Sequence, residues 1–331
     1  MSKVAGHNKE FLPIFQLTGL DEPNIELVGG KAVRLYQLHT LGITIPDAFC
    51  VTTKSFEYFL ESSELDEKLL KIISQINTED REQLKAVSHQ VEELIMSCNI
   101  PQEIGNTVLE AYHALGSISD LPRVAVRSSA KSEDLPQLSF AGQMVSFLNV
   151  KGGTKLLTSI KACWASLFSE RAFLYRATNR VKNTDLTMGV IIQKMIDSEK
   201  SGVMFTIDPI KKDHNNILIE ANFGLGETVV SGRVTPDIFV VDKQTLSLLE
   251  VKKGSKEIMV VASPRGGTIQ KEVPIERQSE ISLGSNMVKE LAKIGIQIEK
   301  FYNYPQDIEW ATMNGKIFIL QTRHVTGLTK L

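Results

Sequence analysis

The protein has 331 residues, of which 42% are hydrophobic and 23% are charged, close to the average for folded soluble proteins. This composition excludes wholesale disorder, collagen-like repeats and a small disulfide-stabilised fold. Lysine and arginine number 37 against 39 for aspartate and glutamate, giving a formal net charge of −2. A chain so balanced has no overall field to attract nucleic acid or an anionic membrane, and neither is an expected partner. The length predicts two domains, or one large domain with an elaborated lobe.

Three cysteines, Cys50, Cys98 and Cys163, are odd in number and far apart. They form no CxxC pair or Cys/His cluster, so neither a disulfide framework nor a zinc site is predicted. Charged residues and Pro13 interrupt the N-terminus before an apolar stretch develops, and we expect no signal peptide. No apolar run approaches the roughly 20 residues of a membrane helix. We therefore expect a cytoplasmic protein with reduced thiols.

The first third of the chain is predicted to be mostly helical. Apolar residues recur at helical spacing directly after the Gly-Gly pair at 29–30. An extended segment follows, and then a helix that Thr52 or Thr53 can cap. From residue 64 to about 115, leucine, isoleucine and valine recur every three or four residues. This pattern breaks where Pro101 is suited to begin a new helix.

Strand-like segments dominate from Pro122 onward. The β-rich runs RVAVRSS and MVSFLNV flank a polar stretch, SSAKSEDLPQLSFAGQ, that has neither helical nor strand periodicity. A loop of that length in a compact domain is usually functional. The later elements, in chain order, are a long helix LLTSIKACWASLFSERAFLYRA, strands TMGVIIQKMI, GVMFTIDP, NILIEANFG and DIFVVDK, a helix SNMVKELAKIGIQIEKFY and a hairpin QDIEWATMNGKIFILQTR. This mixed order favours an α+β fold over a doubly wound α/β fold.

Common nucleotide-binding motifs fail on this chain. A P-loop around the glycines at 29–30 would need glycine at Ile25 and serine or threonine at Ala32. The Gly-Leu-Gly cluster at 224–226 lacks the third glycine of the dinucleotide pattern, because Val229 stands there. Any nucleotide must therefore be bound by another architecture.

Three short segments nevertheless suit phosphate. The Gly-Gly-Lys sequence at 29–31 precedes a helix, where free amides and an ammonium group can meet an anion; the alternative is a helix-starting turn with a solvated lysine. Arg127, followed by two serines, can hold phosphate with its guanidinium; the alternative is an ordinary surface strand end. Gly142, within the segment 139–143, lets backbone amides approach a ligand closely; the alternative is an ordinary mobile loop.

A terminal hairpin around 314–315 supplies a fourth segment. A simple two-residue turn would pair Glu309 with Leu320. A register shifted by one residue gives three other pairs: Glu309 with Gln321, Asp307 with Arg323, and Trp310 with Leu320. We favour the shifted register because it separates polar from apolar residues, and it requires an odd loop or a bulge near Gly315.

The two faces of this predicted hairpin differ in chemistry. Two carboxylates, an amide oxygen and a guanidinium on one face suit Mg²⁺ that bridges to phosphate oxygens. The alternative is an exposed amphipathic hairpin with a surface ion pair. The polar face consists of Asp307, Glu309, Gln321 and Arg323, and the apolar face of Ile308, Trp310, Phe318 and Leu320.

Seven ordered strings resemble those of a known family: VGGKAVRLYQL, VAVRSSAKSEDLPQLSFAGQ, CWASLFSERAFLYR, IIQKMI, SGVMFTIDP, FGLGETVVSG and DIEW…ILQTR. The chain resembles the N-terminal ATP-binding domain of the phosphoenolpyruvate synthase family, which includes pyruvate phosphate dikinase and rifampicin phosphotransferase. The resemblance runs from about Leu27 to Arg323. It implies an ATP-grasp-type fold with a helical N-terminal part. We expect a mainly helical subdomain over 1–120, a first lobe over 121–200 and a second lobe over 201–331.

The resemblance also implies how ATP is held. Lys31 and Arg127 would contact the ATP phosphates. Gly142 and Ser146 would lie along the loop that covers the triphosphate. Gln193, in the string IIQKMI, would sit beside the adenine.

The resemblance implies a metal site on the hairpin. Glu309 and Gln321 would hold Mg²⁺, and Arg323 would neutralise charge on the transferring phosphates, so Arg127 and Arg323 are the predicted catalytic residues. The chain departs from the family at two positions, where Ala32 replaces a glycine and His324 replaces a proline. Neither departure removes a predicted ligand.

The implied activity is a dikinase-type phosphotransfer from ATP to a histidine, through a pyrophosphoryl intermediate and with release of AMP. No carrier-histidine motif is present in the sequence, and His324 alone lies next to the predicted site. We therefore expect the phosphorylated histidine and the acceptor site on a partner chain or a further domain. The alternative function is a non-catalytic, nucleotide-binding regulatory module.

Overall fold

The computed structural model describes residues 11–77, 80–117, 120–130, 145–179 and 187–327. A five-stranded antiparallel sheet forms the first half of this structure. Its strand order is β1-β2-β5-β3-β4, so strands distant in the sequence become neighbours. The strands are β1 (Ile14–Gln16), β2 (Ala48–Val51), β3 (Val124–Ala130), β4 (Ser146–Val150) and β5 (Met188–Lys194).

Helices surround this first sheet. Trp164 is buried beneath it and stacks on Phe59 with ring centroids 5.0 Å apart. Thr52 caps α3 by accepting a hydrogen bond from the Ser55 amide, as predicted. The helices are α1 (Ile25–Val28), α2 (Gly30–Thr40), α3 (Thr53–Ser62), α4 (Asp66–Ser74), α5 (Arg81–Ser97), α6 (Gln102–Ala114), α7 (Gly153–Ser166) and α8 (Glu170–Asn179).

Two of the predicted helix boundaries differ in the structure. The long helix predicted after β4 is two helices, α7 and α8, separated at 167–169. Ser169 directly precedes α8 and caps it, because its hydroxyl accepts a hydrogen bond from the Ala172 amide. Pro101 lies one residue before α6 and has extended backbone angles, so it precedes the helix instead of beginning it.

A six-stranded antiparallel sheet forms the second half, in the order β13-β12-β6-β7-β8-β9. Its strands are β6 (Lys200–Phe205), β7 (Asn216–Phe223), β8 (Asp237–Asp242), β9 (Leu248–Lys252), β12 (Gln306–Met313) and β13 (Lys316–His324). The helices α2 and α11 (Ser285–Tyr302) cover one face, where Trp310 is fully buried. A separate hairpin of β10 (Ile258–Ala262) and β11 (Thr268–Glu272) belongs to neither sheet, and isolated bridges join its Val260 to Gly224 and Leu225, directly after β7. Two short helices are α9 (Glu227–Val230) and α10 (Ile275–Gln278).

The chain is thus a mixed α and β fold with antiparallel sheets, as the order of its predicted elements indicated. Strands β1 and β2 come from the mainly helical first third, yet they pair within the first large sheet. The second large sheet begins at Lys200. The subdomain boundaries at 120 and 200 stay a prediction. Across the described ranges, every helix is too short or too polar to cross a membrane.

Candidate functional site

The hairpin β12–β13 combines both of the registers considered from the sequence. Asn314 and Gly315 have φ angles of 51° and 72°, as in a two-residue type I′ turn. Near the turn Trp310 pairs with Ile319, so the predicted pairing of Trp310 with Leu320 is wrong. The predicted apolar face is also wrong on β13, where Ile317 and Ile319 are buried in place of Phe318 and Leu320. A register shift between Glu309 and Trp310 then changes the pairing. Beyond that shift, Glu309 pairs with Gln321 and Asp307 with Arg323, which confirms the polar face.

The bulge therefore lies at Leu320, five residues from the turn where it was predicted. The buried apolar residues explain its position, since Ile317 and Ile319 can enter the core with Trp310 only if the turn itself is regular. The bulge leaves Leu320 outside the regular pairing, and its carbonyl oxygen is available to the neighbouring sheet. That oxygen accepts hydrogen bonds from Arg127 Nη1 at 3.2 Å and from Gln193 Nε2 at 3.4 Å.

Arg127 joins the two large sheets. It lies on β3, and its Nη2 donates to Glu309 Oε2 and to Gln321 Oε1, both at 2.9 Å. The Arg127 side chain is 13% exposed and that of Glu309 is 25% exposed, so solvent screens this ion pair only partly. The structure thus brings together a predicted phosphate ligand and both predicted metal ligands.

Gln193 belongs to the same hydrogen-bonded network. It lies on β5 next to β3, is almost fully buried, and its Oε1 accepts a bond from Arg127 Nη1 at 3.4 Å. A buried amide of this kind fixes a guanidinium by accepting from it while donating elsewhere. No sequence pattern predicted this link between Gln193 and Arg127. Its role beside adenine stays a prediction.

The Gly-Gly-Lys turn packs against the residues of β3 that follow Arg127. Lys31 Nζ donates to the Ser128 carbonyl at 3.2 Å, and the Ala32 amide donates to Ser129 Oγ at 3.1 Å. Gly29 has a φ of 79°, and a Cβ there would lie 2.0 Å from the Ser129 carbonyl oxygen, so only glycine fits. Two of the segments predicted separately therefore form one unit, with Lys31 bonded to the residue that follows Arg127.

The two remaining phosphate ligands predicted on the covering loop are Ser146 and Gly142, and the structure describes only Ser146. Ser146 is the first residue of β4 and pairs directly with Arg127 on β3. Its side chain is exposed at the edge of the cleft. Gly142 and the segment 139–143 lie outside the described residues.

A cavity of about 720 Å³ separates the two large sheets. This volume is within the range of small-molecule and cofactor sites. Among the described residues, its lining includes Arg127, Ser146, Gln193 and Glu309, together with apolar residues from both sheets, but not Lys31, Gln321 or Arg323. The cavity is thus continuous with the Arg127 network at one end and mostly apolar beyond it.

Arg323 and Asp307 form a second ion pair on the hairpin. Nε and Nη2 of Arg323 both lie 2.8 Å from Asp307 Oδ2. Burial raises the pKa of the Asp307 carboxyl, the Arg323 guanidinium opposes that rise, and nearby Glu309 adds to it. The Arg323 side chain is 45% exposed, so it stands at the rim and can meet a charged group that arrives from solvent. Its catalytic role stays a prediction.

Glu220 is an acidic residue on this face that the sequence did not single out. It lies on β7 and pairs with Val203 on β6, which in turn pairs with Glu309 on β12. Paired residues of neighbouring strands point to the same side of a sheet, so Glu220 shares the face of Glu309. Burial raises its pKa, and the charge of Asp307 raises it further.

The raised pKa of Glu220 predicts a pH-dependent stability. The folded protein disfavours the ionised carboxylate, so this cost is present above the raised pKa and disappears as the pH falls through it. Glu220→Gln should therefore raise the free energy of unfolding near neutral pH by about 1 kcal/mol. The gain should shrink at acid pH in urea titrations. Glu250→Gln, at an exposed position on β9, is the matched control, and an equal gain in both variants would contradict the assignment.

The donor set on the hairpin fits Mg²⁺. Glu309 and Gln321 supply a carboxylate and an amide oxygen within reach of one Arg127 nitrogen, and Gln321 Nε2 lies 3.4 Å from Glu309 Oε1. Mg²⁺ is usually held by one or two protein oxygens plus substrate phosphates and water. The described part of the chain contains no cluster of three or more histidine, cysteine or acidic side chains that could hold a metal ion.

His324 is part of an aromatic cluster. Its ring packs edge-on against Tyr304 and Tyr302, with centroids 4.8 Å and 6.0 Å away. It pairs with Gln306 at the far end of the hairpin. This packing accounts for the half-buried position of the His324 ring. Among the described residues, the three cysteines form no disulfide.

Comparison with known proteins gives a consistent result. Residues 25–330 match the family model described as pyruvate phosphate dikinase, AMP/ATP-binding domain. The chain is 38% identical over 316 residues to a probable phosphoenolpyruvate synthase of Methanocaldococcus jannaschii, which covers 95% of this chain and 27% of that protein. It is 39% identical over 321 residues to a probable phosphoenolpyruvate synthase of Methanothermobacter thermautotrophicus, covering 96% of this chain and 46% of that protein.

A relative with a different name is equally similar. The chain is 38% identical over 310 residues to a rifampicin phosphotransferase of Bacillus cereus, covering 93% of this chain and 35% of that protein. The chain therefore spans between about a quarter and a half of the length of these curated relatives.

Proposed function

This chain belongs to the family of the pyruvate phosphate dikinase AMP/ATP-binding domain, and we propose that it binds ATP between its two large sheets as the nucleotide-activating module of a dikinase-type phosphotransferase. The arrangement is of the ATP-grasp type, in which two lobes built of antiparallel strands enclose the nucleotide. One observation carries the proposal most directly. Arg127 of one sheet bonds to Glu309 and Gln321 of the other, so residues for phosphate and for metal meet at one end of a cavity.

The charges of the cleft orient the nucleotide. The cationic groups Lys31 and Arg127 lie close together near the Glu309 end of the cleft, because Lys31 bonds to the carbonyl of Ser128, the residue after Arg127, and Ser146 pairs with Arg127. Phosphates would lie at this end because paired cations and hydroxyl groups stabilise phosphate oxygens. The base would extend into the apolar part of the cavity, past Gln193. Gly142 would approach the triphosphate from the segment that joins β3 to β4.

Glu309 and Gln321 would hold Mg²⁺. When bound, this ion neutralises charge on the phosphate oxygens. In the structure, Arg127 Nη2 already bonds to one oxygen of each residue, and so holds the two side chains together before nucleotide arrives. Arg323 would add positive charge from the rim, at the side where an acceptor enters.

Phosphoryl transfer requires mainly positioning and charge neutralisation from the protein. Arg127 and Arg323 would supply both, since each is held by a carboxylate of the hairpin. The phosphate would pass to a histidine on a partner chain or a further domain, which would then carry it to the acceptor site. The family relatives are two to four times longer than this chain, which leaves room for such domains. A cytoplasmic location, where ATP is available, is part of the proposal.

The test is the fate of labelled ATP on the purified 331-residue polypeptide. We expect Mg²⁺-dependent ATP binding, no acid-labile phosphohistidine, and AMP formation only at background rate. Adding a chain that carries a mobile histidine domain should produce AMP and a phosphohistidine on the added chain. Binding with no AMP under any of these conditions would favour the regulatory module instead. No binding at all would contradict the proposal.

A further inference from the structure

The hairpin β10–β11 crosses from the second sheet to the first. Its base is fastened to the second sheet, where the Leu225 amide donates to the Val260 carbonyl at 2.8 Å and Asn222 Nδ2 donates to the Ile258 carbonyl at 2.9 Å. From there the two strands extend toward β4, and the connecting residues 263–267 form the tip of the hairpin. The hairpin therefore links the two walls of the cleft.

Asn149 fastens the tip to the first sheet. Its Nδ2 donates to the Ser263 carbonyl at 2.7 Å and to the Gly267 carbonyl at 2.6 Å. The Gly267 amide returns a bond to the Asn149 carbonyl at 3.2 Å. Lys155 Nζ, on α7, donates to the Arg265 carbonyl at 3.2 Å. We call this set of four hydrogen bonds the latch.

The local backbone explains why asparagine stands at 149. The pairing of β3 with β4 shifts between Val124 and Val126, so an extra residue of β4 is accommodated there. Such a bulge redirects a side chain from the regular sheet face. Asn149 has a φ of 55°, a left-handed conformation that asparagine tolerates better than most residues. It is fully buried, although its bonding partners belong to a hairpin whose second strand is mostly exposed.

Among the described residues, the hydrogen bonds that join the tip to the first sheet are those of the latch, whereas Thr268 joins the other side of the hairpin to Glu227 of α9 at 3.1 Å. A two-stranded ribbon is marginally stable alone, and most residues of β11 are exposed. Segments with few buried contacts open locally at low free energy, so the closed position of the tip depends on the latch. Asn149, Gly266, Gly267 and Thr268 line the same cavity as Arg127 and Glu309. Asn149 lies three residues along β4 from Ser146, about 10 Å from the predicted phosphate end.

We propose that the latch fixes the spacing of the two walls of the cleft and that Asn149 is its positioning residue. The latch joins the two walls about 10 Å along β4 from the Arg127 network, on the side where the base of a nucleotide would lie, so this inference rests in part on the proposed function. A nucleotide that contacts both walls binds the latched state better, and by linkage its binding stabilises the latch.

Trypsin cleavage after Arg265 measures opening of the latch directly. Arg265 is exposed at the tip, and cleavage of a structured loop needs local opening. Asn149→Asp keeps the size and the backbone preference but places a carboxylate against two carbonyl oxygens. We expect cleavage at this bond, followed by mass spectrometry, to be about tenfold faster than in the wild type. Lys155→Met, at an exposed position, should give a smaller increase without any change in the core.

The same assay with MgATP tests the coupling. ATP should protect the bond after Arg265 in the wild type, and the protection should be strongly reduced in Asn149→Asp, with faster release of a fluorescent ATP analogue. Lys151→Met is the matched control, because Lys151 lies between β4 and α7 but bonds to Asp120 and not to the hairpin. It should behave as the wild type.

The outcomes separate the latch from the function. Equal cleavage of Asn149→Asp and wild type without nucleotide would overturn the latch. Faster cleavage with equal protection by ATP in both would overturn the coupling. Lack of ATP binding by the wild type, measured by calorimetry, would contradict the proposed function, while cleavage without nucleotide would still decide whether the latch exists.

Discussion

Replacing Arg127 with lysine should weaken MgATP binding by about 1.5–3 kcal/mol, roughly ten- to more than a hundredfold. The guanidinium donates to a carboxylate, to an amide oxygen and to a backbone carbonyl of the opposite sheet. A lysine ammonium keeps the charge but cannot reach these groups and a phosphate with the same planar geometry. The variant should also lose some stability, because the partly buried Glu309 is left with a weaker partner.

Calorimetry of MgATP binding, together with urea titration, separates these two effects. Arg123→Lys is the matched control, since it makes the same change of side chain at a residue that directly precedes β3. The control should bind MgATP as the wild type does. Equal affinity in Arg127→Lys and Arg123→Lys would show that Arg127 is only a structural link between the sheets.

The hairpin shows how far sequence patterns reach. Alternation of polar and apolar residues was sufficient to predict that Glu309 faces Gln321 and that Asp307 faces Arg323. It could not place the bulge, because a bulge at the turn and a bulge at Leu320 give the same pairs at the polar end. The position of the bulge depends on Ile317 and Ile319. Their burial requires α2 and α11 to pack on the face of the sheet opposite the polar face.

Local sequence patterns could not predict the contacts between segments that are distant in the chain. The sequence indicated the Gly-Gly-Lys turn and Arg127 separately, but their meeting depends on Gly29 approaching the backbone of Ser129. A glycine before a helix is compatible with many neighbours, so its partner is set only by the order of strands in the sheet. No sequence pattern singled out Asn149 either, since an asparagine near the end of an apolar strand is usually part of an ordinary turn. Its function becomes visible only when residues 263–267 are brought beside it.

Glu309→Gln should have opposite effects with and without Mg²⁺. The substitution keeps the shape of the side chain and removes one negative charge from the metal donors. Affinity for MgATP should fall by about 2–3 kcal/mol, because a charged ligand of the cation is replaced by a neutral one. Affinity for ATP in the presence of a chelator should stay the same or rise, because the charge next to the phosphates is lost and Arg127, now bonded to a neutral group, is free to reorient toward them.

Calorimetric titrations with Mg²⁺ and with a chelator measure both effects on one preparation. Glu290→Gln, at an exposed position of α11 on the opposite side of the second sheet, is the matched control and should change neither affinity. The two possible roles of Glu309, as a metal ligand or only as an anchor for Arg127, predict different results. If Glu309 only anchored Arg127, its replacement would weaken ATP binding equally with and without Mg²⁺. That equal loss would contradict the assignment of Glu309 and Gln321 as the metal-binding pair.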